Sequence, residues 1–302
     1  MTKSPMPPEP LFPLPPLREV IAAHGLSAQK RLGQNFLFDL NLTGRIARSA
    51  GDIAHGTVIE VGPGPGGLTR ALLDAGAGHV VAIERDRRCL PIQAEISAAY
   101  PGRLEVIEGD ALDVAIHEIG PPPRRVVANL PYNVATPLIL GWLRHATAFE
   151  TIVVMLQKEV VDRLAAVPRT KDYGRLSVIT QWLCTVEPLF DVNPRAFTPP
   201  PKVTSTVVRL TPRPTPLAPC TFERVEAITA AAFNQRRKML RASLKGFAAA
   251  AGFESAEALC EAAGVPPTAR AEELSVAHFC TLGSTLGSFK TGAPSGNDEP
   301  RE

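Results

Sequence analysis

The sequence carries almost no net charge. Its 32 Lys and Arg nearly balance 30 Asp and Glu, a formal +2. The molecule as a whole is therefore not a polycation, and any nucleic-acid surface must be a local concentration of cations. Cysteine is sparse and scattered: Cys89, Cys184, Cys220, Cys260 and Cys280 form no C-x-x-C pair and stand at no zinc-ligand spacing with histidine. This argues against a structural metal site and fits a reducing, cytoplasmic compartment with buried thiols. The six histidines, His24, His55, His79, His117, His145 and His278, are isolated and read as structural or surface residues. No apolar run approaches the ~18 residues of a membrane span. The start of the chain has neither the apolar core of a secretory signal nor an Arg-rich transit segment.

What the sequence does have is a change of texture along its length. Residues 1–16 are crowded with proline and read as a disordered, extended tail. Leu17–His24 reads as a short helix ended by Gly25, and a second helix covers about Asn41–Ala50. From Thr57 short β-rich runs alternate with helical segments. The strand candidates Val58–Val61, His79–Ile83, Leu104–Ile107, Arg125–Ala128 and Thr151–Leu156 are mostly continuous apolar runs, as buried parallel strands are. Thr185–Phe190 and Ser205–Leu210 have no helical pattern between them and suggest an antiparallel hairpin at one sheet edge. A proline-dense linker follows, and then only helical patterning. The expected fold is α/β, a doubly wound Rossmann-like sheet (17–210), a linker (211–220), a small all-α domain (221–290) and a disordered tail (291–302).

The segment Val58-Ile59-Glu60-Val61-Gly62-Pro63-Gly64-Pro65-Gly66-Gly67-Leu68-Thr69 follows a strand and opens a helix. Glycines there let the backbone turn sharply and approach a ligand. Glu84 closes the next strand roughly 20 residues on, where an acid can bind ribose hydroxyls. Gly62, Gly64 and Gly67 satisfy G-x-G-x-x-G, so the letters alone suit a nicotinamide dinucleotide as well as S-adenosylmethionine. Glu60 and the two stiffening prolines favour the latter. Asp110, after the third strand, can accept an adenine amino group or cap a following helix.

Asn129-Leu130-Pro131-Tyr132 closes the fourth strand at the same sheet edge. An adenine amine is a poor nucleophile because its lone pair is delocalised into the ring. The Asn129 carbonyl and the backbone carbonyl of Leu130 can each accept one amine hydrogen, Pro131 stiffens the turn, and Tyr132 offers a ring on which an extruded base can stack. Such catalysis needs proximity and oriented acceptors, with no metal. Phe197, in a proline-stiffened loop, is expected to cover the other face of the base, with a place in the core as its alternative. Phe233–Lys245 reads as an amphipathic helix on which Arg237, Arg241 and Lys245 repeat at i, i+4, i+8 beside Arg236 and Lys238. This row can track phosphates, or be a solvated face.

Taken in order, these motifs resemble the ribosomal RNA adenine dimethyltransferases. The resemblance runs from Gln29 to the helical C-terminal region and rests on Gly33-Gln34-Asn35-Phe36-Leu37, Glu60-x-Gly62-x-Gly64, Glu84, Gly109-Asp110, Asn129-Leu130-Pro131-Tyr132, Gln157-Lys158-Glu159-Val160, Tyr173-Gly174-Arg175-Leu176-Ser177, Phe197-x-Pro199-x-Pro201-x-Val203-x-Ser205 and Phe233-x-x-Arg236-Arg237-Lys238. It implies S-adenosyl-L-methionine as cofactor, held by Asn35, Leu37, Gly62, Glu84, Asp110 and Asn129. It also implies dimethylation of two adjacent adenosines near the 3′ end of small-subunit ribosomal RNA, on an immature 30S-type particle, by a monomer. One departure is Arg169, where relatives often carry glycine, which bears on the shape of that turn and on a local RNA contact. The alternatives are a large-subunit dimethylase, a nicotinamide-dependent oxidoreductase and a non-catalytic RNA-binding assembly factor.

Overall fold

Five runs supply the parallel part of the sheet in the computed structural model, which describes residues 9–29 and 32–287. The readings placed on residues 1–8, on Lys30 and Arg31, and on the tail 291–302 lie outside these. β2 (Thr57–Val61), β3 (Val80–Glu84), β4 (Leu104–Glu108), β5 (Arg124–Asn129) and β6 (Thr151–Gln157) pair in parallel, and β2 and β3 are buried along their whole length. β7 (Cys184–Val192) and β9 (Ser205–Pro212) complete the sheet as the expected antiparallel pair. The order is β4-β3-β2-β5-β6-β9-β7. Pro188, which cannot donate to a ladder, sits on the outermost strand β7 beside a bulge, where its missing N–H does least harm. A small two-stranded sheet joins β1 (Phe36–Leu37) to β8 (Phe197–Thr198).

Helices cover the sheet: α1 (Leu17–Ala23), α2 (Leu40–Arg48), α3 (Gly67–Asp74), α4 (Leu90–Ala99), α5 (Ala135–Leu143) and α6 (Lys158–Ala165). Asp39 caps α2 by accepting the N–H groups of Asn41 and Leu42, which satisfies donors that the first turn leaves open. The apolar core of this unit gathers Ile46, Val58, Leu72, Ile92 and Val127. Residues 9–16, expected to be disordered, are held instead. Leu11 N–H donates to the Ala99 carbonyl at 2.9 Å, the Pro15 carbonyl accepts from Arg70 at 2.7 Å, and Leu14 packs on the core. Proline removes the conformational freedom that would oppose this docking.

The chain divides into two units, one of Met1–Ala165 with Leu183–Thr215, the other of Ala166–Trp182 with Pro216–Glu302. The helical unit thus takes in a segment expected to belong with the sheet, and only a few residues after β9 act as linker. α7 (Arg175–Leu183), α8 (Phe222–Asn234), α9 (Leu240–Ser243), α10 (Lys245–Ala250), α11 (Ala256–Ala262) and α12 (Val276–Thr285) build it. Its centre is aromatic: Phe233 lies 5.4 Å from Phe279 and 6.1 Å edge-on to Tyr173, whose hydroxyl donates to the Leu274 carbonyl.

One expected element is overturned. Phe233–Lys245 is not a single helix, because α8 stops at Asn234 and residues 235–239 form a turn before α9. The turn is fixed from outside. Arg236 donates to the Glu272 carboxylate and to the Thr170 and Lys171 carbonyls, and Met239 pairs with Arg270. Arg237 and Arg241 are therefore not one helical turn apart. Among the described residues, no helix is long and apolar enough to cross a membrane.

Candidate active site

Strand order reverses between β2, which leads on to β3 and β4, and β5, which leads on to β6. At such a switch point the loops leaving the carboxyl ends of neighbouring strands part and open a crevice. The cavity here is lined by the glycine turn after β2, the ends of β3 and β5, Gly109 and Asp110 after β4, and the Leu32–Leu37 segment. Gly62 has φ +70, and Gly66, at φ +86, lies where a Cβ would come within 2.2 Å of Ile96. Only glycine serves such a turn. Gln93, from α4, donates to the Gly64 carbonyl at 2.9 Å and steadies the turn from behind.

The lining is acidic. Among the described residues, Glu60, Glu84, Asp86 and Asp110 meet a single cation, Arg85. Glu60 is 1% exposed and its Oε2 has no hydrogen-bond partner. Burial, offset in part by the Thr69 hydroxyl and reinforced by the Glu84 carboxylate, raises its pKa from 4.5 to about 8. Glu84 is raised by burial as well, and N–H groups of Asp86 and Gly64 hold it down. Those N–H groups donate to its two oxygens at 2.6 and 2.8 Å, and each oxygen keeps a lone pair for a hydroxyl. Asp110 accepts from Leu112 N–H at 3.1 Å and from Arg85 at 2.8 Å. It caps a turn, since no α-helix follows β4.

These residues fit S-adenosylmethionine. Its ammonium and sulfonium groups would bring positive charge to the acidic lining and would satisfy the orphaned Glu60 oxygen.

On the β5 side the four residues Asn129, Leu130, Pro131 and Tyr132 all line the cavity. Asn129 Nδ2 donates to the Asn35 carbonyl at 3.4 Å, which fixes which end of the amide is the acceptor. Tyr132 is held at its tip, its hydroxyl sharing a 2.7 Å hydrogen bond with the buried Ser205 on β9. The structure thus brings Asn35, Leu37, Gly62, Glu84, Asp110, Asn129 and Tyr132 to one cavity.

Phe197 is not among the lining residues. It is 3% exposed, pairs with Leu37 across β1 and β8, and belongs to the core cluster. This is the core place that the sequence offered as its alternative. Arg236 is likewise half-buried and engaged with Glu272, whereas Arg237, Lys238, Arg241 and Lys245 are exposed.

Three partners went unnoticed in the sequence. Ser205 was visible only as the end of a motif. Gln34 donates to Asp86 at 2.8 Å, and Arg88 binds the same carboxylate at 2.6 Å while donating to the Ser27 carbonyl at 3.2 Å. Short-range pattern gives no sign of the Tyr132–Ser205, Gln34–Asp86 and Arg88–Ser27 contacts, each spanning more than 50 residues.

The family model described as ribosomal RNA adenine dimethylase matches residues 25–286. The chain belongs to that family. It is 71% identical over 269 residues to ribosomal RNA small subunit methyltransferase A of Rhodospirillum rubrum, covering 89% of this chain and 91% of the relative. It is 67% identical to the protein of the same name from Paramagnetospirillum magneticum, covering 90% and 95%. Among solved structures, a dimethyladenosine transferase from Plasmodium falciparum superposes with a TM-score of 0.69 at 26% identity, covering 82% of this chain and 95% of that one. A 23S rRNA methyltransferase, ErmE, superposes with a TM-score of 0.59 at 31% identity, covering 83% and 99%. Membership settles the cofactor as S-adenosyl-L-methionine and closes the oxidoreductase alternative.

Proposed function

We propose that this dimethylase converts two adjacent adenosines near the 3′ end of small-subunit ribosomal RNA to N6,N6-dimethyladenosine, acting in the cytoplasm, as a monomer, on an immature small subunit. Substrate choice rests on one contrast. Identity is 71% to a small-subunit enzyme and 31% to a 23S enzyme. Five free cysteines, four of them buried, suit a reducing compartment.

S-adenosylmethionine supplies a methyl group made electrophilic by its sulfonium centre. Gly62, Glu84, Asp110, Asn35 and Leu37 hold and orient it, and buried Glu60 offers its unpaired oxygen to a cation. Asn129 accepts one hydrogen of the adenine amine through Oδ1, the acceptor end that the Asn35 contact selects, and the Leu130 carbonyl accepts the other. Both draw the nitrogen toward a nucleophilic geometry, and the proton released after transfer leaves to solvent. Tyr132, anchored by Ser205, supports the base. The work is alignment and preorganised dipoles. Arg237, Lys238, Arg241 and Lys245 bind RNA phosphates from the helical unit; Arg236 shapes the turn that carries the first two.

The test is methyl incorporation from labelled S-adenosylmethionine into immature small ribosomal subunits, followed by nucleoside analysis. Dimethyladenosine confined to small-subunit RNA is expected. Product in large-subunit RNA, or cofactor binding without any transfer, would overturn the reading.

A further inference from the structure

Arg169 is the one described non-glycine residue with positive φ, at +71°. An L-residue there brings its Cβ against the following carbonyl, so glycine or asparagine is the ordinary occupant. The structure holds the arginine in place from several sides. Its N–H donates to the Glu272 carbonyl at 2.7 Å, and Thr170 closes the turn by donating from N–H and hydroxyl to the Val167 carbonyl. Arg236 binds the Thr170 and Lys171 carbonyls while pairing with the Glu272 carboxylate at 2.7 Å. The backbone is thus fully determined, yet the Arg169 side chain itself is exposed and has no ion pair among the described residues. A strained position that persists without a structural task for its side chain points to a task outside the fold.

The neighbourhood says which. The 267–272 segment runs between this loop and the Met239–Arg241 segment. On one side Glu272 receives Arg169; on the other, Ala269 and Pro267 receive the N–H groups of Leu240 and Arg241, and Met239 pairs with Arg270. Three segments distant in sequence are stitched together, and each contributes exposed cations: Arg169 and Lys171, Arg270, and Arg237, Lys238 and Arg241. Against these six cations stand Glu272, already paired with Arg236, and two further acids in or beside the same segments, Asp172 and Glu273, so positive charge still prevails. Concentrated positive charge on a nearly neutral protein is a polyanion surface.

We propose that the Val167–Asp172 loop is a second phosphate-binding element of the helical unit, and that Arg169 binds the RNA backbone from it. This rests on the RNA-methylating function above. It extends the phosphate surface beyond the Phe233–Lys245 stretch to a loop held in a left-handed turn.

The experiment measures affinity of the full chain for immature small-subunit RNA across a salt series, with thermal unfolding in parallel. Arg169→Asn suits the left-handed backbone and removes the charge; Arg169→Lys keeps the charge. For Arg169→Asn the expected result is an unfolding temperature equal to or above that of the unsubstituted chain. Affinity should be about threefold to tenfold weaker at low salt, and the slope of log affinity against log salt lower by about one. Arg169→Lys should restore most of both. An unchanged slope in Arg169→Asn, or a loss that lysine does not restore, would overturn the proposal. Methylation of the same RNA by the unsubstituted chain is scored separately, so failure of the function itself is seen apart from failure at Arg169.

Discussion

Gln34 and Asp86 are joined by a 2.8 Å hydrogen bond that fastens the Leu32–Leu37 segment to the end of β3, and Arg88 grips both oxygens of the same carboxylate. Asp86 is 8% exposed, and the Arg88 and Gln34 contacts outweigh burial to hold its pKa below the usual carboxylate range. It stays ionised and tied through the neutral pH range.

Asp86→Ala should therefore release Asn35 and Leu37 from the cofactor cavity. Loss of charged hydrogen bonds of this kind is worth roughly 1.5–3 kcal/mol. The Michaelis constant for S-adenosylmethionine should rise about tenfold or more with kcat little changed. Steady-state kinetics at saturating RNA checks this; a fall in kcat alone would count against it.

Asn129→Ala removes the acceptor proposed to act on the amine during transfer. By comparison with single oriented dipoles in other active sites, kcat should fall about 100- to 1,000-fold. RNA affinity should remain within about twofold, since phosphate contacts dominate it. Single-turnover rates with binding isotherms separate the two.

Ser205→Ala leaves the Tyr132 hydroxyl without the partner it has at 2.7 Å. The ring loses its fixed tip, and kcat/KM for RNA should drop about threefold to tenfold while the cofactor dissociation constant holds. Equal losses for cofactor and RNA would assign Ser205 to the fold alone.

Glu60 makes a prediction about pH. Its folded pKa, raised from 4.5 to about 8, means the folded chain without cofactor holds the proton more tightly than the unfolded chain. The associated stability is complete below about 4.5 and is lost as pH rises through about 8. Glu60→Gln keeps a neutral amide there and should flatten that loss. Denaturant unfolding of both proteins between pH 5 and pH 9, on the order of one pH unit apart, gives the difference directly.

The thiols should divide sharply. Cys184 and Cys280 are pushed up to about 12 and Cys260 to about 11, each mainly by burial, and Cys89 is raised by burial too. Cys220 alone is partly exposed. Iodoacetamide on the native protein should label Cys220 first and the other four only on unfolding.

What the sequence made legible was whatever repeats within a few residues. β2, β3, β5 and β6 announce themselves as apolar runs such as Val58–Val61 and Thr151–Leu156, and the glycine turn declares its own geometry. The break after Asn234 was not legible, because Gln235-Arg236-Arg237-Lys238 contains no residue that opposes a helix strongly. It is imposed by Glu272 and Thr170, 36 and 66 residues away from Arg236. Phe197 was ambiguous for a related reason. A proline-flanked aromatic looks presented to solvent, but its two-residue strand pairs with Leu37 and turns the ring into the core. In each case the deciding partner lies far along the chain.

The excursion of residues 166–182 into the helical unit sets an order of events on the ribosome that makes this chain. All nine strands of the described residues have been synthesised once Pro212 emerges. At that moment Tyr173 still lacks Leu274, Trp182 lacks Ala218, and the Thr170 carbonyl lacks Arg236. Between two finished stretches of the sheet unit, these seventeen residues, with the apolar face of α7 among them, wait for partners 36 to 101 positions downstream. A premature stop after β9 would strand that segment permanently, leaving a completed sheet that carries its own aggregation site.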